Sequence, residues 1–180
     1  MIPSREKCLE LIARYKMPPH IMAHSIMVEK VAILIALSLV KAGQKLSLEK
    51  VRAGALLHDI AKDICLKSGC DHAAEGERIC RKHDVDEIAE IVGEHIRLKN
   101  YAGGEQIDEK EIVYYADKRV NHQTVVSLEE RLKYLLSRYA KDEDKLGQAI
   151  KENFDLCKKV EKKLFAKLDY TPDQVAGMIK

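Results

Sequence analysis

Tryptophan is absent from these 180 residues, and phenylalanine occurs twice. Strand-like alternation of apolar and polar residues is equally hard to find. A half-buried sheet needs that alternation, so its scarcity argues against a β-rich fold. Uninterrupted apolar runs of about 18 residues are also missing, which predicts no transmembrane helix. The most apolar stretch, residues 31–40, is too short to span and too far into the chain to be a signal peptide. The start, Met1-Ile2-Pro3-Ser4-Arg5, has no secretory pattern. Charge of one sign is not in excess: 31 Lys and Arg face 29 Asp and Glu, for a net +2, mixed along the chain. A dedicated nucleic-acid binder would cluster its basic residues, so none is expected here. The five cysteines (Cys8, Cys65, Cys70, Cys80, Cys157) form no C-x-x-C, and their odd count reads as reduced thiols in a cytoplasmic protein. Internal repeats, low-complexity segments and a convincing domain boundary are likewise missing.

What remains is dominated by Leu, Ile, Ala, Lys and Glu, the composition of an all-α chain. Ser4 caps a first helix that places Cys8, Leu11, Ile12 and Tyr15 on one face. Pro18-Pro19 end it, and Pro19 suits the start of a second helix over residues 20–41, closed by Gly43. Ser47 caps a third, expected to run to residue 62, followed by a polar loop over 67–71. Further helices are expected over 72–83 and 86–99, with a glycine-containing loop at 101–106. Asp108 with Glu111, and Ser127 with Glu130, resemble capping boxes and open two more. A long charged helix over 142–168 has the apolar row Leu146, Ile150, Phe154, Cys157, Val160 and Leu164. Thr171-Pro172-Asp173-Gln174 caps a short last helix. The chain is expected to be one domain, with a core over 18–122 and a helical extension over 127–180 that serves packing or oligomerisation.

Polar residues on apolar helix faces carry the chemistry. In Leu56-Leu57-His58-Asp59-Ile60-Ala61-Lys62, an apolar run ends in an imidazole beside a carboxylate. Burying both unpaired costs several kcal/mol or more, on the order expected for desolvated charge. A divalent first-row metal would offset that cost, since both groups ligate such ions well. A hydrogen-bonded buried pair is the alternative. His24 lies on the second helix, with His20 one turn earlier as its competitor. Asp117 follows Ile112-Val113-Tyr114-Tyr115-Ala116, a run that should be buried. His72 opens a helix, where Asp71 could be its cap, and His95 closes Ile88-Ala89-Glu90-Ile91-Val92-Gly93-Glu94. His83-Asp84 follows Arg81-Lys82 and reads as an exposed helix end.

The order His24, His58-Asp59, Asp117 resembles the HD-domain metal-dependent phosphohydrolases. Residues 56–62 are similar to the family's hallmark segment, and Tyr115-Ala116-Asp117-Lys118 to the segment carrying its last ligand. Asp71-His72-Ala73-Ala74-Glu75-Gly76 and residues 88–95 resemble the additional segments of six-ligand members, which include bacterial diadenosine-tetraphosphate hydrolases and small uncharacterised proteins. The resemblance covers residues 18–122 and implies a compact multi-helix HD bundle. It implies His24, His58, Asp59 and Asp117 around one metal, with His72 and His95 holding a second that Asp59 bridges. One or two divalent transition metals are implied, among Fe, Mn, Co, Ni and Zn. Asp59 and Lys62 become the candidate catalytic residues. Lys62, Arg97, Lys118, Arg119 and His122 become candidate contacts to a small phosphate ester or nucleotide. No membrane partner is expected. His95 is followed by Ile96, and no Gly-Tyr-Pro signature appears, which argues against the cyclic-di-GMP phosphodiesterase branch. An HD-fold di-iron oxygenase and a non-catalytic nucleotide-binding module are the competing readings.

Overall fold

The computed structural model describes residues 1–99, 101, 103–141 and 143–179. It is an all-α fold with one two-stranded hairpin among those residues. Helix α1 (Arg5–Arg14) starts where Ser4 Oγ accepts the Lys7 amide at 3.2 Å, and it buries Cys8, Leu11 and Ile12. Helix α2 (Pro19–Lys41) starts on a proline whose missing N–H costs nothing there. It packs against α3 (Leu48–Leu57) and α7 (Glu109–Lys118). Val28, Val31, Ala32, Ile35, Ala36 and Leu39 of α2 are fully buried.

The wide apolar surface of α2 makes its 23 residues long and apolar enough to cross a membrane by composition, contrary to the expectation from run lengths. Half of the relevant window lies inside the fold, as in the central helix of a helical core.

The helix bearing the His-Asp pair is shorter than its pattern predicts. It ends at Leu57, and His58 to Ala61 form tight turns before α4 (Lys62–Ser68). The Ile60 amide reaches Leu57 O and the Lys62 amide reaches Asp59 O, each at 3.0 Å. His58 keeps helical dihedrals (φ −53, ψ −38), and its Nε2 lies 3.5 Å from Asp59 Oδ2. The loop expected over 67–71 is thus partly helical, and α4 closes on Gly69 at φ +77.

That closure brings the Cys65 and Cys70 Cα atoms to 4.6 Å, and the two are joined as a disulfide. This corrects the expectation of reduced thiols for that pair: a left-handed turn folds the chain back between cysteines that sequence spacing alone leaves unrelated. Cys8, Cys80 and Cys157 are buried free thiols.

Helix α5 (His72–Lys82) is capped by Asp71, whose Oδ1 accepts the Ala73 and Ala74 amides. The element expected over 86–99 is a 3-10 turn (Asp86–Ile88) followed by α6 (Ala89–Glu94). It stops five residues early because Glu94 Oε2 accepts the Lys99 amide and folds the chain back. After α7, strands β1 (Val120–Asn121) and β2 (Thr124–Val125) form a hairpin that the sequence reading lacked. His122 takes φ +55 at its turn. Helix α8 (Leu128–Tyr139) and helix α9 (Asp144–Phe165) follow. Asp142, expected at the start of the long helix, lies outside the described residues, as does Ala102 of the loop at 101–106. A 3-10 turn (Pro172–Gln174) and α10 (Val175–Met178) end the chain's described part.

The extension is bolted to α7, the helix that carries Asp117. Phe154, Cys157, Val160 and Leu164 of α9 are buried, whereas Leu146 stays largely exposed. Tyr114 Oη donates to Asn153 O at 2.8 Å, and Tyr115 Oη to Glu161 Oε2 at 2.6 Å. Lys163 Nζ donates to both Glu111 oxygens, at 2.7 and 2.8 Å.

Candidate metal centre

Six side chains predicted as ligands converge from five places in the chain. His58 and Asp59 come from the turn after α3, His24 from α2, His72 from the first residue of α5, His95 from the end of α6 and Asp117 from α7. Among the described residues, the ligand atoms of His24, His58 and Asp59 lie within 4.8 Å of one another. Those of Asp59, His72 and His95 do the same. Asp59 is common to both groups and turns a different oxygen to each. Its Oδ2 is 3.5 Å from His58 Nε2, while its Oδ1 is 3.3 Å from His72 Nε2 and 3.5 Å from His95 Nε2. Asp117 Oδ1 stands 3.0 Å from His24 Nε2 and 3.6 Å from His58 Nε2.

Backbone carbonyls aim three of the imidazoles. His58 Nδ1 bonds Ala55 O at 2.7 Å and His95 Nδ1 bonds Val92 O at 2.6 Å, each three residues back at a helix end. Helix C-termini leave such carbonyls without intrahelical partners, so the histidine satisfies one while ending the helix. His24 Nδ1 bonds His122 O at 3.0 Å, across 98 residues. A carbonyl only accepts, so Nδ1 carries the proton in each case and Nε2 is presented to the centre.

The residues fit a metal on chemical grounds. His58 Nε2 and Asp59 Oδ1 are buried and have no hydrogen-bond partner. Such orphans are rare in a folded interior and are costly unless something else binds them. Mixed imidazole and carboxylate donors suit first-row divalent ions.

Charge within the cluster is strongly coupled. Burial works against the Asp59 carboxylate, yet His58 and Lys62 outweigh it and hold its pKa well below the ordinary value. Asp117 behaves likewise, with Lys118, His24 and His58 overcoming burial. Burial also opposes the His58 imidazolium, but the two carboxylates prevail and raise it to about 9. His95 shows the reverse balance: burial and the neighbouring His58 charge depress it to about 4 despite Asp59.

The phosphate-contact candidates separate into two groups. Lys62 is part-buried, and its Nζ donates to Asp59 Oδ2 at 2.6 Å. His122 is exposed at the hairpin turn. Arg97 is exposed on the turn after His95, where its charge acts on Tyr114. Lys118 and Arg119 do not present free charges to a substrate. Lys118 is buried, donates to His95 O at 2.7 Å, lies 3.4 Å from Asp117 Oδ2, and sits over the Tyr114 ring. Arg119 is buried too, donating to Val126 O at 2.6 Å, to Pro172 O at 2.9 Å and to Tyr115 Oη. The reason for both corrections is helix phase: the residues after Asp117 turn into the packing between α7, the hairpin and the extension. Lys118 becomes a strut between two candidate ligands, His95 and Asp117. Sequence reasoning missed the carbonyl of His122 as the partner of His24, and no side-chain pattern signals it.

Comparison with known proteins agrees with this geometry. The HD domain family matches residues 21–121, more than half of the chain. This protein belongs to the HD domain family. That membership places the HD chain in a metal-dependent hydrolase superfamily, with an all-α fold and His/Asp groups that can hold a metal. The chain is also similar to the tRNA (cytidine(56)-2'-O)-methyltransferase of Thermoplasma volcanium, with 34% identity over 97 residues. The match takes in 53% of this HD protein and 27% of that relative. No solved structure matches the chain.

Proposed function

We propose that this HD protein is a metal-dependent phosphohydrolase acting on a nucleotide or another small phosphate ester. One observation carries the reading: Asp59 divides its two oxygens between two histidine groups, each close enough together to hold an ion. His24, His58 and Asp117 would complete one site, and His72 and His95 the other. Divalent cations held there would neutralise phosphoryl oxygens and acidify a water for attack on phosphorus. The chain's own groups do the rest. The carbonyls of Ala55, Val92 and His122 keep the imidazole tautomers fixed. Lys62, charged beside Asp59 and partly open to solvent, is placed to steady the bridging carboxylate or to take a substrate phosphate. The methyltransferase activity in the relative's name is not carried over, because the likeness takes in 27% of that protein.

Metal analysis of protein purified without chelator, with phosphate release from a panel of nucleotides and simple esters in Mn or Fe, tests the proposal. The expected result is about two metals per chain. The count should fall toward one when His72 and His95 are both replaced by Ala, and both metals should be lost with Asp59→Ala. A metal-loaded protein that cleaves nothing, together with an Asp59→Ala variant that keeps its metal, refutes it.

A further inference from the structure

Helix α4 runs between two of the residues that share the second candidate ion, and little holds it in place. Its first residue, Lys62, donates to Asp59 Oδ2 at 2.6 Å. Beyond its far end, Asp71 caps α5 and His72 follows. At 7 residues, α4 is too short to be stable as an isolated helix. Cys65 is its one buried residue, while Ile64 and Leu66 are exposed. The Asp63–Lys67 pair on its surface adds little, because solvent screens it. Cys65 is joined to Cys70, so the buried residue of α4 is also its fastening to the start of α5.

His72 depends on that fastening more than the other imidazoles do. Main-chain carbonyls hold the rings of His24, His58 and His95. Among the described residues no carbonyl does so for His72, whose side chain is also the most exposed of the four, at 26%. Its contacts in the centre are Asp59 Oδ1 at 3.3 Å and the His95 ring, with centroids 5.2 Å apart.

We propose that the Cys65–Cys70 pair is a thiol–disulfide switch that sets the affinity of the second ion, the one assigned to Asp59, His72 and His95. The proposal rests on the two-ion reading of the centre and adds a regulation to it. Cys70 is exposed and Cys65 is buried, so a dithiol reductant attacks the Cys70 sulfur. A mixed disulfide forms there, and Cys65 leaves with the electron pair and takes up a proton. The reductant's second thiol then displaces Cys70 and closes its own disulfide. Two electrons and two protons have passed to the pair. Reduction frees the turn over 65–70, and the main chain that aims His72 is no longer fixed to α4.

Titration of Mn²⁺ into the metal-free full chain, oxidised or treated with a dithiol that is then removed without air, is the test. Thiol counts on unfolded samples should read three before treatment and five after it. The first equivalent should bind alike in both states. The second should bind about tenfold more weakly after reduction, the lower end of what a lost orienting group costs a metal site. Cys70→Ser should match the reduced chain without treatment and ignore the dithiol. His72→Ala should bind the second equivalent weakly in either state and erase the difference. Second-equivalent affinities within about twofold in the oxidised, reduced and Cys70→Ser proteins overturn the switch. So does a redox difference that survives His72→Ala. A redox difference of the expected kind in a protein that releases no phosphate from any ester supports the switch and sinks the phosphohydrolase reading alone.

Discussion

Replacing Gly54 with alanine tests the packing that sets the width of the metal centre. An added Cβ would stand 2.5 Å from Ile91 Cγ2 and 3.2 Å from Ile91 Cβ. Carbon atoms prefer about 3.5–4.0 Å, so α3 and α6 must move apart by roughly 1 Å. The atoms met belong to the rigid branch of a buried isoleucine, which has no free end to swing away. Overpacking of this kind costs about 1–3 kcal/mol. Alanine returns about 1 kcal/mol of helix propensity. The net expectation is a loss of up to about 2 kcal/mol, and each kcal/mol lowers Tm by roughly 2–4 °C in a chain of this size. Thermal unfolding of the metal-free protein reads it directly. The two helices carry His58 and His95 at their ends, with ring centroids 5.0 Å apart, so retained metal should fall as well. Two controls sharpen the test. In an Ile91→Ala background the same substitution should become neutral or stabilising. Gly93→Ala, whose added Cβ meets chiefly the carboxylate end of the longer, unbranched Glu77 side chain, should change Tm less than Gly54→Ala. A Gly54→Ala protein at least as stable as its parent, in the parent background, refutes the reasoning.

Lys118→Met should destabilise the protein by about 3 kcal/mol, the cost of removing one partner from a buried charge pair. It should also weaken metal retention, because His95 and Asp117 lose their common strut. Chemical denaturation with and without metal checks this, and unchanged stability would return Lys118 to the list of substrate contacts. Cys70→Ser should cost about 2 kcal/mol, the chain-entropy expectation for a loop of about six residues. A thiol count on unfolded, unreduced protein that finds all five cysteines free would show that the pair does not form.

His58-Asp59 and Asp117 stood out as polar groups after apolar runs, whereas His24, His72 and His95 became candidates through the family resemblance. Burial makes such groups expensive, so Asp117 after Tyr115-Ala116 signals a use even without structure. Helix boundaries were less legible where a side chain captures a nearby main-chain group. No proline or capping glycine marks the end of α3 at Leu57, where His58 Nδ1 bonds Ala55 O. The same holds for α6, which the Glu94 carboxylate ends by capturing the Lys99 amide. Charge alone misled at Lys118 and Arg119. Solvent exposure is the usual fate of such side chains, but Lys118 is drawn inward by His95 O, and Arg119 by Val126 O and Pro172 O. The disulfide depended on the left-handed turn at Gly69, whose consequence for Cys65 and Cys70 is geometric rather than compositional.

The carbonyl of His122 that orients His24 has a consequence for how the protein is made. A chain emerging from the ribosome releases its N-terminal parts first. Asp59, His72 and His95 are then all available before Asp117 and the hairpin exist, whereas His24 waits for both. Vectorial synthesis thus gives the two halves of the centre different birthdays, and the half shared by Asp59, His72 and His95 is the elder.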